Sequence, residues 1–76
     1  MSRTLGHARA HLYRGLECNR SMMRAEQLYH ARDALTDAGF PCWAELAEAA
    51  AMRIGGSDSD MRALLFDVDA ECGRRP

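Results

Sequence analysis

Residues 61–72 read MRALLFDVDAEC. Met61, Leu64, Leu65, Val68 and Cys72 recur at i, i+3, i+4, i+7 and i+11, one continuous apolar stripe at helical period. Just ahead of it, Asp58 and Asp60 suit the positive end of a helix dipole. Ser57 can cap the helix, with Asp60 three residues on in an approximate capping box. The segment predicts an amphipathic helix that must bury one face. Phe66 lies off the stripe, so it either packs on a second surface or stands exposed as a contact residue.

Working backward from this helix, three punctuation marks divide the chain: Gly39-Phe40-Pro41, Gly55-Gly56-Ser57 and Gly73. Glycine supplies the left-handed residue after a helix, and proline fits the first position of the next one. Residues 41–54, PCWAELAEAAAMRI, form a middle helix in this reading. Trp43, Leu46, Ala47, Ala50 and Ile54 share one face of it, and the seam of Ala47, Ala50 and Ala51 would admit a close neighbour. Trp43 is assigned to the core.

The N-terminal half carries two stripes, Leu5-Ala8-Leu12-Leu16-Met23 and Leu28-Ala31-Leu35-Ala38, turned about 100–140° from each other at 100° per residue. Residues 4–38 therefore hold either one helix with different neighbours at its two ends or two helices. Gly15, Asn19 and Ser21 favour a break near Cys18-Asn19-Arg20-Ser21. No stretch alternates with a period of two, so no strand is expected. The sequence predicts a single all-α domain, a small bundle of three or four short helices with a helical hairpin at Gly39-Phe40-Pro41. Residues 1–3 and 74–76 are expected to fray.

At 76 residues the chain is near the size at which one core needs help from a disulfide, a metal or a partner subunit. The three cysteines, Cys18, Cys42 and Cys72, are odd in number and lack a CxxC pair, so they read as reduced thiols. Completion by homodimerisation is the remaining expectation. Apolar residues make up 47%, which excludes a disordered composition. No apolar run approaches the roughly 18 residues of a membrane span, and no secretory apolar region follows the first charges. The expected location is the cytoplasm. All ten basic side chains are arginine, which hints at a GC-rich bacterial or bacteriophage coding sequence.

The net charge of −1 hides an asymmetry: residues 1–32 carry a balance of +4, residues 33–72 one of −7. Oppositely charged halves can neutralise each other within the fold or across a dimer, or meet charged partners. Protein binding is the leading functional expectation, with a non-enzymatic regulator or inhibitor in mind. Tyr29 and Phe66 would serve as contacts, and Asp58, Asp60, Asp67, Asp69 and Glu71 would form an acidic surface able to imitate phosphates. The alternative is a small DNA-binding regulator that uses Arg3, Arg9, Arg14, Arg20 and Arg24.

Three chemical readings carry less. His7, His11 and Cys18 in HARAHLYRGLEC have spacing that could hold a metal on one helix face, but no acidic neighbour in sequence would orient the imidazoles. No metal or cofactor is expected. Cys18 beside His11 or His30 is the sole nucleophile–base candidate, and no phosphate loop or nucleophile elbow exists. Residues 43–65, WAELAEAAAMRIGGSDSDMRALL, resemble a helix-turn-helix. Their turn exceeds the usual 3–4 residues, and Asp58 and Asp60 open the would-be recognition helix.

Overall fold

In a computed structural model, residues 4–18, 20–53 and 58–74 are described, and they form four helices: α1 (Leu5–Glu17), α2 (Ser21–Ala38), α3 (Pro41–Met52) and α4 (Asp58–Arg74). The bundle measures 34 × 20 × 19 Å. Each helix packs on its neighbour in sequence, and α4 closes back onto α1, while the backbones of the diagonal pairs stay apart. Side-chain contacts fix the directions. Gly15 meets Met61 at one end of the α1–α4 pair, and Arg9 meets Asp69 further along. Arg53 reaches Asp60 at one end of α3–α4, while Phe40 and Trp43 share a groove with Ala70 and Glu71 at the other. All neighbours are thus antiparallel. The helix-turn-helix resemblance does not carry over, because α3 and α4 lie side by side along the bundle.

The break at Cys18–Arg20 resolves the two N-terminal stripes into two helices. α1 begins with a capping box that the sequence reading missed. The His7 N–H donates to Thr4 Oγ1 at 3.3 Å, and the Thr4 N–H donates to His7 Nδ1 at 2.9 Å. A histidine here plays the part usually taken by Glu or Gln, which is why the motif escapes a search for those residues. Gly15 does not mark the break as expected. It is buried within α1, where a β-carbon would collide with the end of the Met61 side chain, so its role is to make room for that side chain between α1 and α4.

The hairpin at Gly39 forms as expected. Gly39 has φ +90°, its N–H donates to Thr36 O at 3.1 Å, and the Phe40 N–H donates to Leu35 O at 2.8 Å. That is the Schellman ending, and Pro41 then starts α3. The Ser57 cap, the Gly55-Gly56 turn, Ile54, Asn19 and Arg3 lie outside the described residues.

Leu5, Ala8 and Leu12 of α1, Leu28, Ala31, Ala34 and Leu35 of α2, and Met61, Leu64, Leu65 and Val68 of α4 form the core together with four alanines of α3. Among the described residues no polar side chain is buried. The face of α3 differs from the expected one: Ala44, Ala47, Ala50 and Ala51 are buried, whereas Leu46 is 56% exposed. Alanines let the α2 and α4 backbones come near, and a leucine on that line would hold them off. Met23, assigned by period to the first stripe, is also exposed, because it begins a different helix. Trp43 is partly buried, stacked on Phe40 with ring centroids 4.9 Å apart.

Candidate functional site

The charged residues singled out by the sequence largely meet one another. Arg9 donates from Nη1 to Asp69 Oδ1 at 3.1 Å. Arg24 pairs with Asp58 at 2.9 Å and also donates to the Cys18 carbonyl. Arg53 donates to Asp60 Oδ2 at 3.1 Å. The two charged halves therefore compensate within the fold, and Arg9 and Arg24 of the basic set hold Asp69 and Asp58 of the acidic one. Arg14 and Arg20 remain exposed at the end where α1 passes into α2. Partly exposed pairs of this kind are individually weak.

Tyr29 is 37% exposed, and the Arg32 guanidinium sits 5.1 Å from its ring centroid. Arg32 also binds Asp33 at 2.9 Å and Glu48 at 3.1 Å, which ties α2 to α3. The hydrogen bonds that Arg32 donates to Asp33, helped by the charges of Asp33 and Glu48 and opposed by partial desolvation, hold the guanidinium pKa above its usual value. Tyr29 is half covered by its own neighbour, a poorer anchor than its position suggests.

The histidines make contacts within the protein. His7 closes the α1 cap. His11 donates from Nδ1 to Gln27 Oε1 at 2.8 Å and stacks on His30 with centroids 5.1 Å apart. The Cys18 thiol donates to the Arg14 carbonyl at 3.1 Å. Among the described residues no three His, Cys, Asp or Glu side chains group as metal ligands. No described helix is long and apolar enough to cross a membrane.

What stands out is the outer face of α4. Opposite its buried stripe run Ser59, Ala63, Phe66, Ala70 and Gly73, all exposed, with Phe66 at 75%. The outward line of a surface helix ordinarily carries charge. Here charges appear only on its flanks, Arg62 and Asp69 on one side, Asp60, Asp67 and Arg74 on the other. A groove on the α1 side is lined by Tyr13, Leu16, Leu65 and Phe66 with Arg62 and Asp69 at its edge, and one on the α3 side by Leu46, Ala49, Ala63 and Leu64 with Arg53 and Asp60. Asp67 borders the second groove, and with Glu71 it also borders the one beside Phe40 and Trp43. Thus α4 brings together all five acids and Phe66 from the predicted protein-binding set, while Tyr29 lies on α2. The 4-3-4-3 spacing of the uncharged line was readable in the sequence, but small residues attract little notice beside a stripe of Leu, Met and Val.

Fold and surface together define a small antiparallel four-helix protein with an uncharged, partly apolar outer helix face. The chain matches no protein-family model, and no match is found among curated proteins or solved structures.

Proposed function

We propose that this chain is a non-enzymatic protein-binding module that modulates a partner by occupying its surface. The observation that carries the reading is Phe66, 75% exposed in a line of α4 that bears no charge, flanked on both sides by grooves whose apolar floors are bordered by charged side chains. Alanines suit a solvated helix, but the exposed Phe66 ring gains nothing there, whereas a contact would bury it, and aromatic anchors ringed by charge typify interface centres. The acidic residues take the part of a rim: Asp58, Asp60 and Asp69 are held by arginines of the same chain, so their charge steers encounter more than it anchors. Homodimerisation belongs to the same reading, since a chain this short gains stability from a partner subunit.

The test is affinity capture from a bacterial lysate with the wild-type chain, Phe66→Ser and Arg14→Glu, each checked for helix content by circular dichroism. A stoichiometric partner retained by wild type and Arg14→Glu and lost by Phe66→Ser is the expected result. Equal retention by all three, or no partner, overturns the reading.

A further inference from the structure

The flank charges of α4 say which protein fits its outer face. Ser59, Ala63, Phe66, Ala70 and Gly73 are spaced 4, 3, 4 and 3 residues apart, the spacing of a coiled-coil seam. On that frame Arg62 and Asp69 occupy the position just before each seam alanine, and Asp67 and Arg74 the position just after Phe66 and Gly73. In a parallel, in-register helix pair, a residue of the first kind meets the partner residue five positions further on. Arg62 then meets Asp67, and Asp69 meets Arg74, with opposite charges at both contacts. The two-fold repeats each contact; because Asp69 already accepts from Arg9 of its own chain, the Arg62–Asp67 pair carries the argument and Arg74 would share Asp69 with Arg9.

Resting on the protein-binding reading above, we infer that, until a partner displaces it, this face is covered reversibly by a second copy of the chain, paired in parallel along α4 with Phe66 against Phe66. Two features of the monomer support the register. Arg62 and Asp67 are exposed and form no ion pair with any described residue; among the other such arginines, Arg14 and Arg20 lie away from α4, and Arg74 belongs to the same seam. The pairing supplies Arg62 and Asp67 with each other. The seam residues beside Phe66 are Ala63 and Ala70, which let two helices approach closely and leave room for the two rings. An antiparallel pairing centred on Phe66 would bring the two Asp67 carboxylates together on one side of the axis, a like-charge contact that the parallel register avoids. The seam covers only two heptads, so the dimer forms reversibly and follows protein concentration.

Sedimentation equilibrium from about 5 μM to about 500 μM tests this, the range over which a weak dimer crosses half-occupancy. The wild type is expected to shift from monomer to dimer. Phe66→Ser weakens association about tenfold or more, as loss of a central anchor does. Arg62→Asp and Asp67→Arg each weaken it about three- to tenfold, since each spoils both symmetry-related contacts. The double variant Arg62→Asp/Asp67→Arg returns to near the wild-type constant. That recovery is specific to the parallel register, because in the antiparallel one Arg62 faces Asp69. Failure of the double variant to recover overturns the register. A wild type that stays monomeric throughout overturns the dimer but leaves protein binding by the Phe66 face to the capture experiment. Indifference to Phe66→Ser in both experiments overturns both.

Discussion

Arg9 of α1 and Asp69 of α4, sixty residues apart in sequence, are joined by a 3.1 Å charge-assisted hydrogen bond. One belongs to the arginine set that suggests nucleic acid, the other to the acidic set that suggests a nucleic-acid mimic. Their meeting converts two competing surface charges into a tie between the first and last helices. Both side chains are about half exposed, 43% and 50%. Arg9→Ala and Asp69→Ala should each cost no more than about 1 kcal/mol, and the double variant little more than either alone. Urea unfolding at low and high salt checks this: the cost shrinks as salt screens the pair.

The same pairing bears on duplex DNA. With Arg9 and Arg24 held by carboxylates, a phosphate must displace Asp69 or Asp58 before it gains a contact. Fluorescence anisotropy with labelled non-specific duplex is expected to show no binding at about 50 mM salt, where counterion release favours association most. Binding that falls steeply toward about 200 mM salt would reinstate the arginine face as the working surface.

A second tie between α1 and α4 depends on an absence. Gly15 is buried against the end of the Met61 side chain, and Met61 is itself fully buried. Alanine at position 15 would raise helix propensity by about 1 kcal/mol, but it must push Met61 into a packed core. Gly15→Ala is expected to destabilise the wild type. In a Met61→Ala background, which by itself costs about 2–5 kcal/mol, the same change should become neutral or stabilising. Chemical denaturation of the four members of this cycle measures the coupling. Equal effects of Gly15→Ala in both backgrounds would show that the contact does not constrain α1.

Legibility in the sequence followed the size of the signal. The α4 stripe and the hairpin at Gly39 were readable because large apolar side chains and a Gly-Phe-Pro stop each have one structural solution. The face of α3 was misread because period alone gave Leu46 and Ala44 comparable claims to the core. The choice fell to backbone spacing, which only three neighbouring helices together determine. Compensation between the charged halves was legible from their opposite balances, but the partners were not: Arg9–Asp69 and Arg24–Asp58 join the first half of the chain to α4, and no local pattern predicts such long-range pairs. Most of the candidate surface was legible as a list of acids, but its uncharged centre was not, because Ser59, Ala63, Ala70 and Gly73 become a line only once α4 has a known inner face.

The hairpin that sets α2 against α3 turns on Gly39, whose φ of +90° no L-residue adopts without strain. The space around it is open, with no atom within 4 Å of where a β-carbon would lie. Any loss on substitution is therefore conformational and not a clash. Gly39→Ala is expected to destabilise by about 1–2 kcal/mol, and Gly39→Asn by less, since asparagine tolerates the left-handed region better. A D-alanine at the same position, accessible by chemical synthesis at this chain length, has the preference of the opposite hand. It should stabilise by about 0.4–1 kcal/mol, because it removes freedom from the unfolded chain at no cost to the folded one. Thermal and urea unfolding of the three variants test the argument by sign: if L- and D-alanine destabilise alike, a hidden packing contact and not the backbone angle governs the turn.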